Sequence, residues 1–167
     1  TRVRMSRSLA GRRVVVTRPV GQAHELVARL GELGAQVVEL PLTRIVPIDD
    51  SPQIDVALDQ IAAYQVVVVT SANGASCFAD RLDARNASLS PATTVVAVGP
   101  ATARELGNRG IRVDRIPQRA TGAAIVAELA ALDLTGLRIL LPRAREGRPE
   151  LPAGLRRAGA TGDGVAC

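Results

Sequence analysis

Short apolar runs alternate with amphipathic stretches along the whole chain. Arg13-Val14-Val15-Val16-Thr17 is a β-branched run closed by Arg18-Pro19, which predicts a buried strand. Gln22–Leu33 carries Ala23, Leu26, Val27 and Leu30 at helical spacing, and Gly34 supplies the stop. Gln36–Leu40 is the next β-branched run. Together these predict one β-α-β unit with a right-handed crossover.

The alternation breaks at Pro41-Leu42-Thr43-Arg44-Ile45-Val46-Pro47, a segment bracketed by prolines, and Asp49-Asp50-Ser51-Pro52 follows with helix-start chemistry. Residues 41–50 are therefore the expected interdomain linker, and Ile54–Ala63 a short helix. A second series begins at Tyr64. Strands are expected at 65–70, 94–98, 111–116 and 137–141, with helices at 73–82, 101–109, 122–132 and 151–158. Thr161–Cys167 stands where a further strand belongs, although Gly162-Asp163-Gly164 departs from a β-branched pattern. The unbroken run Val66–Val69 suits a parallel sheet covered on both faces. The fold class expected is α/β, an open doubly wound parallel sheet of the flavodoxin or Rossmann type. Residues 1–42 form the β-α-β portion of an incomplete first domain, and residues 43–167 a nearly complete second one.

Composition changes the picture in three ways. The chain is 47% hydrophobic but only 1% aromatic, so the core rests on Val, Leu, Ile and Ala. Stacking on aromatic faces cannot be a main recognition device, which argues against a single-stranded nucleic-acid platform. The net charge of +5 is carried by arginine, whose planar fork suits carboxylates and phosphates. Cys77 and Cys167 lack metal-ligand spacing and are expected as one buried and one terminal thiol, and His24 alone cannot build a histidine metal site. No apolar run reaches the roughly 18 residues that cross a membrane. The basic start (Arg2, Arg4, Arg7) leads into no apolar signal region, so a cytoplasmic protein is expected. Neither GxGxxG nor GxxxxGK[ST] occurs, which removes the usual nucleotide sites.

Ligands of open α/β sheets bind beyond the carboxyl ends of the strands. Those ends read Thr17-Arg18-Pro19, Thr70-Ser71-Ala72-Asn73, Gly99-Pro100-Ala101-Thr102 and Pro142-Arg143-Ala144-Arg145. The last three are expected along one rim. Each offers hydroxyls or backbone N–H groups at a helix start, where anions are favoured. The plain alternative is that Thr70, Ser71 and Thr102 only cap helices, and that Arg143, Arg145 and Arg148 form a solvated basic loop. No paired carboxylates, Ser-His-Asp or Cys-His arrangement has persuasive spacing. An enzyme with this equipment would work by holding a reactive substrate in the right shape.

Several motifs in this order resemble those of uroporphyrinogen-III synthases. Val14–Pro19 resembles their opening strand, and Leu40-Pro41-Leu42 their linker entry. Val69-Thr70-Ser71-Ala72-Asn73-Gly74 is similar to a "TSxxxV" strand end, and Val96-Ala97-Val98-Gly99-Pro100-Ala101-Thr102-Ala103 to "VGxxTA". Gly110–Pro117 and Thr121-Gly122 follow in order. Leu140-Leu141-Pro142-Arg143, Gly147-Arg148 and Leu151 are similar to "LLPRG…R..L". The resemblance spans about residues 12–160. It implies two α/β domains with a two-stranded linker and the substrate in the cleft between them. It implies cyclisation of hydroxymethylbilane, an octacarboxylate, to uroporphyrinogen III, with inversion of the terminal pyrrole ring and loss of water. Neither metal nor organic cofactor is implied. The substrate-binding positions expected from the strand ends and the resemblance together are Thr17, Arg18, Thr70, Ser71, Ala72, Gly99, Thr102 and Arg143; the resemblance implies that Thr70, Ser71 and Thr102 stand on substrate-facing hydroxyl positions.

Members of that family continue further. Their C-terminal part repeats the Thr-Ser and VGPxTA motifs and completes the first domain. A tyrosine of the returning linker strand would come next after Cys167. The expectation is a C-terminally truncated chain whose first unit leaves Val14, Val16, Leu26, Leu30 and Val38 exposed. That surface would drive self-association in a protein otherwise monomeric. The alternatives to a working enzyme are an inactive remnant and a tetrapyrrole-binding module of a larger fusion protein.

Overall fold

The computed structural model describes residues 8–46, 48, 51–147 and 149–167. Arg2, Arg4, Arg7, Pro47, Asp49, Asp50 and Arg148 lie outside the described residues. The chain divides into two compact units, Thr1–Val46 and Pro47–Cys167.

The first unit is a parallel pair, β1 (Arg13–Val16) and β2 (Gln36–Glu39), joined by helix α1 (His24–Glu32). Gly34 adopts a left-handed φ of 89° and ends α1 by donating to the carbonyl of Gly31 at 2.9 Å. Leu26 and Val38 are exposed as expected, and Val14 and Leu30 are half-buried. Val16 corrects the expectation: it is only 4% exposed, and so belongs to the unit's small core with Ala23.

The second unit opens with α2 (Pro52–Asp59) and a single 3-10 turn at Ile61–Ala63, which splits the helix expected over 54–63. It continues through β3 (Val66–Val69), α3 (Ala72–Ala84), β4 (Thr94–Ala97), α4 (Pro100–Asn108), α5 (Gly122–Leu129), β5 (Arg138–Arg143), α6 (Glu150–Arg157) and β6 (Thr161–Ala166). The sheet order is β4-β3-β5-β6, and every pairing is parallel. All four residues of β3 are buried. Val67 and Val69 pack with Ile54, Leu58, Phe78 and Leu106 of α2, α3 and α4. Val66 and Val68 pack with Ile125, Leu129, Leu151 and Leu155 of α5 and α6. An apolar run without polar alternation is thus satisfied by helices on both faces. Each such side chain stabilises the fold by about 1.5–3 kcal/mol.

The strand expected at 111–116 is reduced to one bridge, Val96↔Arg115. Asp114 is the cause. Its carboxylate accepts the Val95 N–H at 2.8 Å, taking the place of a ladder carbonyl. The outer edge of β4 is thereby closed to further pairing, as edge strands generally are by charge.

The strand β6 forms despite Gly162 and Gly164, in full register with β5 from Arg138↔Thr161 to Arg143↔Ala166. Asp163 anchors it. Tyr64 donates to the Asp163 carboxylate at 2.7 Å and Arg138 donates to the same oxygen at 3.3 Å. The Arg138 guanidinium also lies 4.7 Å from the centre of the Tyr64 ring. Ser51 fixes the other end, donating to the Ala166 carbonyl at 2.8 Å.

The two cysteines are not separate thiols. Cys77 of α3 and Cys167 after β6 are joined as a disulfide with Cα atoms 6.0 Å apart, across 90 residues of sequence. Parallel pairing of β6 carries Cys167 to the end of the sheet where α3 begins. In a reducing compartment the pair stands as two thiols in contact. Closing so long a loop is expected to raise stability by about 2–4 kcal/mol over the reduced chain. Urea midpoints with and without a thiol reductant check this, and equal midpoints would rule out the cross-link.

Burial first, and then the hydrogen bond to Asp163, push the Tyr64 hydroxyl up from its ordinary 10.0 to about 12. The unfolded chain therefore loses this proton before the folded one does. Tyr64 contributes its full stabilisation below pH 10, and the contribution is lost as pH rises toward 12. Melting temperatures over that range should fall more steeply for the native chain than for Tyr64→Phe.

Candidate functional site

Because all four strands of the second unit run in parallel, their carboxyl ends meet at one rim. The chain steps outward from β3 to β4 and the Arg115 bridge, then crosses back to β5 and β6. The switch point lies between β3 and β5, the crevice where open α/β sheets bind ligands. Thr70 and Ser71 follow β3 there, and Arg143 ends β5. Gly99 follows β4 on the same rim. The Val98 N–H donates to the Val69 carbonyl at 2.9 Å, and the Cys167 N–H to the Arg143 carbonyl at 3.0 Å, so pairing persists to the edge.

Ser71 is the N-cap of α3. Its hydroxyl oxygen accepts from the Gly74 N–H at 3.0 Å. This uses the oxygen and leaves the hydroxyl proton able to donate outward. Capping and anion binding are therefore compatible roles for one serine. Gly74 allows the first turn of α3 to approach β5. A Cβ there would stand 3.1 Å from Ser71 Oγ and 3.6 Å from the Pro142 carbonyl. Thr121 caps α5 in the same way, accepting from the Ala124 N–H at 3.2 Å. No side chain caps α4 at Gly99, whose exposed start is Pro100-Ala101. That start is a fixed positive dipole end.

The expected residues are placed unequally. Thr70, Ser71, Ala72, Gly99 and Arg143 share the rim, with Thr70, Ala72 and Arg143 half-buried, Ser71 exposed and Gly99 buried. Thr102 stands at the same rim but is only 3% exposed, so its side chain belongs to the packing of α4. Thr17 and Arg18 follow β1 in the first unit, both exposed, with Arg18 donating to the Gln22 carbonyl at 3.4 Å. Arg145 is exposed in the loop after β5. Among the described residues, no three His, Cys, Asp or Glu side chains group as a metal site, and no helix is long and apolar enough to cross a membrane.

The family model for uroporphyrinogen-III synthase HemD matches residues 24–167. The chain belongs to the uroporphyrinogen-III synthase family. It is 31% identical over 154 residues to the uroporphyrinogen-III synthase of Synechococcus elongatus, covering 91% of this chain and 58% of that protein. It is 32% identical over 128 residues to the porphyrin biosynthesis protein HemD of Ruminiclostridium josui, covering 75% of this chain and 25% of that one. Among solved structures, a mutant uroporphyrinogen III synthase of Thermus thermophilus superposes with a TM-score of 0.66 at 18% identity. That match covers 93% of this chain and 61% of the other, and shares its α/β fold. The chain thus spans less than two thirds of the length of these relatives.

Within this uroporphyrinogen-III synthase family member, Gly74 escaped the sequence reading as a contact residue, although a glycine in the first turn of a helix signals close approach. The cap at Ser71 yields a direct expectation. Ser71→Ala should cost about 1 kcal/mol, and Ser71→Gly only a few tenths. Urea denaturation of the three proteins checks the order.

Proposed function

We propose that this chain supplies an α/β wall of a uroporphyrinogen-III synthase. The reaction is cyclisation of hydroxymethylbilane to uroporphyrinogen III, with inversion of the terminal pyrrole ring and loss of water. The observation that carries the reading is the coincidence of family and geometry. The matched region takes in the whole second unit, and that unit gathers a hydroxyl-capped helix start, an uncapped one and an arginine at its switch point. Donors spread along a rim suit a ligand whose carboxylates are spread around its edge.

In this reading Ser71 donates its free hydroxyl proton to a substrate carboxylate, with Thr70 and the first amides of α3 beside it. At α4 the contact falls to the exposed Ala101 amide at the Gly99 turn, while buried Thr102 supports the helix start from within. Arg143 holds a further carboxylate. Thr17 and Arg18 offer the same strand-end chemistry on the first unit. The protein's work is positioning: holding the bilane's ends so that closure follows ring inversion and not the direct route. The expected setting is the cytoplasm, with the water-soluble bilane as the partner.

The test is incubation of the chain with freshly generated hydroxymethylbilane, followed by oxidation and separation of the porphyrin isomers. Isomer III in excess over a protein-free control is the expected outcome. Isomer I alone, at the uncatalysed rate, would overturn the proposal.

A further inference from the structure

We propose that Cys77 and Cys167 form a reversible redox clip across the crevice between β3 and β5, exchanging with low-molecular-weight disulfides such as oxidised glutathione and setting the rim's affinity for an anionic ligand. The clip stands on geometry, and the ligand class and compartment rest on the reading above.

The sheet has a seam at this place. β3 runs to Val69 and β5 to Arg143, yet their register ends at Val67↔Leu140. Pairing with the outer strands continues to the ends, at Val69↔Ala97 and Arg143↔Ala166. Pro142 is the cause. Successive residues of a strand turn their backbone N–H and C=O groups toward alternate neighbours. The Arg138 carbonyl accepts the Gln65 N–H at 3.1 Å, on the β3 side, and the Arg143 carbonyl accepts the Cys167 N–H at 3.0 Å, on the β6 side. Pro142, an even number of residues beyond Arg138, therefore faces β3, and it has no N–H to donate. The halves β4-β3 and β5-β6 are thus laddered together over their amino-terminal parts and part toward the rim.

The disulfide spans this seam. Cys77 lies in the second turn of α3, the helix that follows β3, and Cys167 continues β6. One sulfur belongs to each half. Closed, the cross-link fixes the start of α3 against the ends of β5 and β6. Opened, it releases that constraint and leaves the ladder bonds in place. A rim fixed before binding loses less freedom when a ligand arrives, so the closed form is the tighter binder. Both cysteines are half-buried, which leaves a small thiol or disulfide a route to them. In the cytoplasm, cysteine pairs of this kind cycle between thiol and disulfide. Closure takes two exchanges. One cysteine thiolate attacks the small disulfide and expels one small thiolate. The other attacks the mixed disulfide and expels the second. The protein pair is oxidised by two electrons, the small disulfide is reduced, and the two cysteine protons pass to the departing thiolates.

Uroporphyrin I, an octacarboxylate, is the binding probe for the whole chain, titrated by fluorescence after equilibration in glutathione buffers, with free thiols counted by alkylation. The pair should pass from thiols to disulfide across these buffers. The disulfide form should bind about fivefold more tightly, the low end of coupling between sites. By reciprocity, uroporphyrin I should shift the pair toward the disulfide by the same factor. Cys77→Ser and Cys167→Ser should each bind as the reduced chain does in every buffer. Equal affinity of the oxidised and reduced chains overturns the proposal and leaves the family reading standing, as does a pair that stays wholly oxidised or wholly reduced throughout. A second measurement does not use the probe. The amides of Gly74 and Leu141, beside the seam, should show millisecond exchange broadening in the reduced chain and lose it on oxidation. The amide of Val98, bonded to the Val69 carbonyl within one half, should stay sharp in both. If reduction brings no broadening, the seam does not open and the clip fails even where uroporphyrin I binds. If the broadening appears but uroporphyrin I binds neither form, the reading of the ligand fails and its gating by the clip fails with it.

Discussion

Everything in the second unit depends on burying Val66–Val69 on both faces at once. Four consecutive fully buried valines leave no solvent-facing side, so the strand must lie inside a sheet covered by two layers of helices. The strands here pair in parallel, which needs crossover connections, and the crossover helices supply those two layers. Parallel strands place every carboxyl end on the same rim, and chain reversal around the central strand opens a crevice there. The candidate site is a consequence of how β3 is packed. The same logic explains why its working parts are helix starts and strand ends, groups that the fold must produce wherever the strands finish.

This dependence explains which features were legible in the sequence. Strands and helices with strong periodicity were, because their side-chain pattern is the packing. The rim positions of Thr70, Ser71, Gly99 and Arg143 were too, since each lies within two residues of the end of an apolar strand. Two of the exceptions share one cause, a single polar side chain acting across a long sequence distance. Asp114 takes the ladder position on Val95 and leaves a bridge where Ile111–Ile116 reads as a strand. Asp163, held by Tyr64 and Arg138, builds a strand where Gly162-Asp163-Gly164 reads poorly as one. Cys77 and Cys167 meet across 90 residues only because β6 lies parallel to β5. Thr102 sits at the motif position expected of it, but its burial depends on how α4 packs and is invisible in spacing alone.

The two units differ sharply in how they satisfy their apolar side chains. The second encloses two layers of core, whereas the first leaves Val15, Leu26, Val38, Leu40 and Leu42 exposed around two short strands. A two-stranded sheet with one helix covers one face at most, and such units are marginal alone in water. Exposed apolar surface of this kind marks a region that other elements cover or that associates.

The scarcity of aromatic side chains narrows what the rim can do for chemistry. With 1% aromatic residues, a ligand's rings would find little to stack on, so the rim's donors suit anionic groups at a ligand's edge. Helix-start amides and a capping serine are each weak donors, but their positions are fixed by the sheet before any ligand arrives. An arginine is a stronger donor on a far more flexible stem, and it matches that fixity only if something removes its freedom. Ser71 gains its fixity from the N-cap bond to Gly74, while the backbone of Arg143 is fixed by its pairing with β6. A site that acts by shape and orientation needs this rigidity more than it needs any particular reactive group.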